Sequence, residues 1–114
     1  MNRENVFVVR INSNDKVFFG DAPRQDDAEM LRVGKDFLRE HGKESRFELQ
    51  ADRGTSYGAY VHVQNLLVRI FNEVRSEKAQ SVYGKPLEEL SADEQSQINF
   101  MVPLSISETE MKGR

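Results

Sequence analysis

The residues of this chain best placed for chemistry form one run, Asp52-Arg53-Gly54-Thr55-Ser56. A glycine turn leading into a helix can cradle an anion on the backbone N–H groups of the helix N-terminus. The run lacks the glycine spacing of phosphate loops, and Ser56 has no histidine nearby in sequence to serve as its base. A turn that caps the next helix is the plainer reading. His62 falls on the polar arc of a helical pattern, with no carboxylate or hydroxyl three or four residues away; it reads as solvated. His41 reads as a cation at a helix end. With two histidines and no cysteine, carboxylates would have to hold a metal. Asp26-Asp27 and Glu88-Glu89 are adjacent pairs, whereas a calcium loop alternates its ligands around a sharp glycine turn. These residues give no support to an enzyme, and no cofactor or metal site is expected.

The elements around that run follow from periodicity. Asn5 to Ile11 alternates, with Phe7, Val9 and Ile11 on one face and Val6, Val8 and Arg10 on the other. The turn Asn12-Ser13-Asn14-Asp15 leads to a returning strand over Lys16 to Phe19, which Gly20 to Pro23 ends. From Arg24 to His41 the period is helical: Met30, Leu31, Gly34, Phe37 and Leu38 share a stripe, Asp26 or Asp27 can cap its start, and Gly42 its end. Phe47 to Asp52 alternates as a strand of a sheet with one buried and one wet face.

A second helix is predicted over Tyr57 to Tyr83, capped by Thr55 or Ser56 and stopped by Gly84 and Pro86. Tyr60, Val63, Leu66, Leu67, Ile70, Phe71 and Val74 share one face, with Tyr57, Val61 and Val68 as a second line beside it. That arc is wider than one sheet needs. Either the first helix or a protein partner, a second copy included, covers the excess. Ser91 and Glu94 fit a capping box for a third helix, with Ile98, Met101 and Phe100 as its sparse apolar side. Leu104 to Ser107 alternates as a last strand, entered through Pro103, which favours an edge position.

The order strand, strand, helix, strand, helix, inserted helix, strand predicts an α+β two-layer sandwich, with the helices on one face of a small mixed sheet. Residues 1–4 are expected to be a flexible start, 5–108 the domain with its inserted segment at about 85–102, and 109–114 a flexible tail. Two strands are candidate edges for an extended peptide: one at Val6, Val8 and Arg10, the other at Leu104, Ser105 and Ile106. The helix line Tyr57, Val61 and Val68 is the competing contact surface.

Length and composition agree with one soluble domain: 114 residues, 38% hydrophobic and 31% charged. A net charge of −3, with basic residues interleaved among acidic ones, speaks against nucleic-acid binding. The absence of cysteine excludes disulfides and leaves the compartment open. No run approaches the ~20 apolar residues of a membrane helix, and MNRENVF lacks the apolar core of a signal peptide. The sequence is therefore expected to be either cytosolic or a soluble piece of a longer protein.

Three stretches together carry a family resemblance: VVRINSNDKVFF at 8–19, LQADRGTSYGAY at 49–60 and YGKPLEELSADEQSQINFMVPLSIS at 83–107. The chain resembles the periplasmic domain of the ExbD/TolR family of biopolymer transport proteins, in its Bacteroidetes-type form, over about residues 5–108. Ala51, Asp52, Gly54 and Tyr57 carry the signature: a strand ending in a small residue and Asp, a short turn, a tyrosine, then a long helix. The resemblance implies a non-enzymatic subunit of the inner membrane of a Gram-negative bacterium, with this domain in the periplasm. It implies a homodimer inside an ExbB-like channel, which uses the proton gradient to work on TonB and so energises outer-membrane transport. The family's proton-linked aspartate lies in a membrane helix outside this sequence, so no residue here is assigned that role. A TolR-like part in cell-envelope maintenance is the near alternative. A small cytosolic ligand-binding domain centred on Asp52 to Ser56 is the distant one.

Overall fold

The computed structural model describes residues 5–110. Five strands, β1 (Val6–Ile11), β2 (Val17–Phe19), β3 (Ala22–Pro23), β4 (Arg46–Ala51) and β5 (Ile106–Glu110), form one sheet in the order β3-β2-β1-β4-β5. Three helices, α1 (Asp27–His41), α2 (Tyr57–Tyr83) and α3 (Ala92–Met101), complete an α+β fold. The hairpins β1-β2 and β2-β3 are antiparallel, while β4 lies parallel to both β1 and β5. The sheet is thus mixed.

Alternation decides which face the helices cover. Phe7, Val9 and Ile11 of β1 stand opposite Phe47, Leu49 and Ala51 of β4 in register, and all six are buried. Their neighbours Val8, Glu48 and Gln50 are half-buried and Arg10 is exposed, so the other face stays open. Parallel strands covered on both faces read as continuous apolar runs; the polar residues of β4 mark it as covered on one.

The helices begin and end where local chemistry allows. The Asp26 carboxylate accepts from Glu29 N–H at the start of α1, and the Ser56 hydroxyl accepts from Ala59 N–H at the start of α2. Gly84, at φ +68°, turns α2 off and donates its N–H to Gln80 C=O. Ser91 and Glu94 form the reciprocal capping box of α3. Along α2, Val63, Leu66, Leu67, Ile70, Phe71 and Val74 are buried against the sheet and α1. Gly34 lets α1 approach closely: a Cβ there would overlap Ile70 Cδ1 and stand 3.5 Å from Phe19 Cζ. The inserted segment seals the far end of α2 with a separate small cluster of Ala79, Leu90 and Ile98.

Several expectations need correction. β1 is not an edge: β4 pairs with it from Val6 to Ile11, β2 pairs with Val9 to Ile11 on the other side, and Val8 C=O accepts from Gly20 N–H. β3 is an additional two-residue strand where only a turn was expected. The last strand starts at Ile106, and Leu104 and Ser105 precede it. It continues through Glu108 and Thr109 to Glu110, so the expected tail boundary at 109 is wrong; residues 111–114, like the expected start at 1–4, lie outside the described residues. Phe100 does not join the apolar side of α3 but is 68% exposed.

Charged side chains tie α1 to α2. Arg39 donates to both Glu77 oxygens and to Asp36, and Lys35 lies 3.1 Å from Glu73 and from Glu77. Hydrogen bonds from Arg39, and next from Lys35, hold the Glu77 carboxyl down to about 2 against its partial burial. An unfolded glutamate titrates near about 4.3, so this contribution is complete above that pH and is lost as pH falls through about 2. Glu77 is 43% exposed, and screening limits the contribution to about 1 kcal/mol. Between about pH 6 and about pH 3 the parent protein should lose more Tm than Glu77→Gln; parallel curves would show that the network is energetically silent.

Gly34 supplies a second prediction. Helix propensity favours Ala over Gly by about 1 kcal/mol, but overpacking a filled core costs about 1–3 kcal/mol, and Ile70 is fully buried. Urea unfolding should show Gly34→Ala destabilised by about 1 kcal/mol and Gly34→Val by more. A stabilised Gly34→Ala would contradict the close packing of α1 on α2.

Candidate functional site

β5 has a strand neighbour on one side only among the described residues. Its backbone directions follow from one hydrogen bond: Phe47 N–H of β4 donates to Ser105 C=O at 3.0 Å. Backbone groups alternate sides along a strand, so Ser107 and Thr109 face β4 while Ile106 and Glu108 turn their N–H and C=O outward. Side chains alternate between the faces too. Ile106 and Glu108 stand in register with buried Phe47 and Leu49, on the helix side. Glu108 accepts from the Tyr60 hydroxyl at 2.7 Å and from the Gln64 amide at 2.6 Å. Those two bonds, Tyr60 first, hold its carboxyl below the usual range.

The ends of this edge carry exposed apolar side chains. Leu104, just before the strand, is 52% exposed, and Tyr57, at the first turn of α2, is 82% exposed. Val61 and Val68 are half-buried; at ~100° per residue they fall on the flank of α2 opposite the one that meets α1. Next to Tyr57 lies a cleft of about 370 Å³ lined by residues 51–57 and Tyr60.

The turn that forms this cleft is locked to the β1-β2 hairpin. Arg10 holds the Asp52 carboxylate through Nε at 3.1 Å and Nη2 at 2.8 Å, and that pairing lowers the carboxyl's pKa. Thr55 Oγ1 lies 3.1 Å from both Ile11 C=O and Asn12 C=O. Gly54 has φ +96°, and a Cβ there would sit 3.3 Å from Ser13 Cβ, so glycine meets both a backbone and a space requirement. Ser56 N–H donates to the Asp15 carboxylate at 2.8 Å, which lowers that carboxyl's pKa. The helix N-terminus is therefore already served by the chain's own carboxylate and by the Ser56 hydroxyl, an arrangement that disfavours a second anion. No family model and no curated protein matches this chain.

Of the sequence-predicted contact residues, the fold brings Leu104, Ser105 and Ile106 to a real edge and Tyr57 to its far end. Val6, Val8 and Arg10 lie on β1, between β2 and β4 in the sheet, with Arg10 engaged by the Asp52 carboxylate. Asp52 and Gly54 act in the turn before α2. The grouping of Glu108, Tyr60 and Gln64 has no signal in the sequence, because Glu108 follows the expected strand Leu104 to Ser107 and is acidic where periodicity would ask for an apolar residue. His62 does have a partner, Asp27 of α1 at 2.9 Å, which spacing within its own helix could not show. Among the described residues, no group of three or more His, Cys, Asp or Glu side chains is placed to hold a metal ion, and no helix is long and apolar enough to cross a membrane.

Asp15 joins the hairpin to α2 from a left-handed backbone, φ +62°. Asn tolerates that conformation and keeps a side-chain acceptor, whereas Ala does neither. Thermal unfolding should rank the proteins parent, Asp15→Asn, Asp15→Ala in falling Tm. Equal Tm for the two variants would show that this cap does not hold the turn.

Proposed function

We propose that this chain is a protein-docking domain of the ExbD/TolR type, which takes up an extended partner segment along β5. The observation that carries the reading is the outward row of N–H and C=O groups at Ile106 and Glu108, with exposed Leu104 and Tyr57 at its two ends. From Leu104 to Glu110 the edge spans about 20 Å at ~3.3 Å per residue. Strand addition of this kind draws affinity from the main chain and specificity from apolar side chains at the ends. The resemblance in sequence adds support, since β4 ends at Ala51, Asp52 follows it directly and the long helix opens on Tyr57, in the order the family signature requires.

In this reading the domain lies in the periplasm of a Gram-negative bacterium, carried by a membrane helix outside the given sequence. It works as a homodimer with an ExbB-like channel subunit, and the segment received on β5 comes from a TonB-like partner. Its role is mechanical: proton-driven rearrangement in the membrane reaches outer-membrane transport through a docked strand. No bond is made or broken by this domain.

The test is a titration of the ¹⁵N-labelled domain with a peptide from the periplasmic linker of the cognate TonB-like protein. The largest amide shifts are expected at Ile106 and Glu108. Glu108→Pro removes one outward donor without touching the ladder to β4, and Glu108→Gln keeps it. Proline should weaken the peptide about tenfold or more, about 1.4 kcal/mol, and glutamine little. Shifts confined to other surfaces, or equal binding by both variants, would overturn the reading.

A further inference from the structure

A second cavity lies on the helix side of the molecule, and none of its lining residues belongs to the sheet. It is a cleft of about 460 Å³ between the C-terminal end of α1, the second half of α2 and the end of α3. That volume is within the about 300–1,000 Å³ range of small-molecule sites. Its floor is apolar: Leu38, Val74 and Val102 are buried, and Met101 is half-buried. One wall is the Arg39–Glu77 ion pair. Glu77 is the only carboxylate lining the cleft among the described residues, and Arg39 and Lys35 already saturate it.

The rim carries cations and an aromatic ring. Lys43 stands over the ring of Phe100 at 4.9 Å, and that ring is 68% exposed. Lys78 and Ser81, one helical turn apart on α2, line the cleft beside Val74. Neither Lys43 nor Lys78 has a carboxylate partner among the described residues, whereas Arg39 and Lys35 on the neighbouring helix are both held by Glu77. Two unpaired ammonium groups and an exposed ring beside an apolar floor form an amphipathic site. Its charge calls for a single anionic group, and its floor calls for an apolar body.

We propose that this cleft binds a small amphipathic carboxylate, an aryl or medium-chain alkyl acid. The body lies on Val74, Met101 and Val102 under the Phe100 ring, and the head is held by Lys43 and Lys78 with the Ser81 hydroxyl as an added donor. The site is independent of the β5 edge, so its success or failure leaves the docking reading where it stands.

The probes are 3-phenylpropionate and decanoate, each beside its neutral alcohol, with inorganic phosphate as a head-only control. They are followed by amide shifts of the ¹⁵N-labelled domain. At least one acid should saturate with Kd below about 1 mM, with shifts centred on Gly42, Ser81 and Phe100. Lys78→Glu should weaken that acid about tenfold or more, and Lys16→Glu, on the β1-β2 hairpin, should leave it unchanged. Ser81→Trp, on the exposed side of α2, should fill the cleft and abolish binding while circular dichroism shows an intact fold. Any of four results would overturn the proposal: no saturation by either acid, equal affinity for alcohol and acid, phosphate binding as tightly as the acid, or an unchanged Kd in Lys78→Glu.

Discussion

The Phe47 ring is the point on which the rest of the structure depends. It is fully buried, and its centroid lies 5.2 Å from Phe7 of β1, 5.6 Å from Phe37 of α1 and 5.3 Å from Phe71 of α2. Such edge-to-face and tilted pairs add to area burial and restrict orientation. With one side chain touching both helices and the neighbouring strand, β4 has a single register against β1. A slip of one residue would turn Phe47, Leu49 and Ala51 to the open face and bring Glu48 and Gln50 into the core.

That constraint settles which edges remain. With β4 seated beside β1, the hairpin β1-β2 can extend outward only through β3, and β4 can extend only through β5. β3 is two residues long and includes Pro23, which has no N–H to offer. It is a blunted edge. β5 is longer, and Pro103 lies ahead of the strand, so its outward donors survive. Glu108 on the helix face adds a charge that limits indiscriminate pairing, and its bonds to Tyr60 and Gln64 hold the strand to α2. Part of the wide apolar arc of α2 is covered within the fold: α1 covers one flank and the inserted segment the far end around Ala79, while Val61 and Val68 on the opposite flank are half-buried. Tyr57 remains as the fully presented aromatic of that helix.

Local signals were legible in the sequence and long-range ones were not. The caps at Asp26, Ser56, Gly84 and Ser91 with Glu94 depend on residues within one turn, and the inward set of β1 and β4 depends on alternation, so both could be read directly. The interior position of β1 depends on a parallel pairing with a strand some forty residues on, which no local pattern encodes. The extension of β5 to Glu110 was hidden because Ser107 to Glu110 is polar throughout, and its hold comes from Tyr60 and Gln64 of a distant helix. His62 looked unpartnered because Asp27 reaches it across the α1–α2 contact. The cap that the turn at Asp52 to Ser56 gives α2 is local and legible, but its lock on Arg10, Ile11 and Asp15 exists only in the folded hairpin.

The claim that β5 is an unoccupied edge, with alternate backbone groups turned outward, is tested most directly by amide hydrogen exchange of the isolated domain. Slow exchange is expected at Ser107 and Thr109, whose N–H groups face β4, with fast exchange at Ile106 and Glu108. Equal protection at all four positions would mean that another strand already covers the edge, and would contradict its availability to a partner.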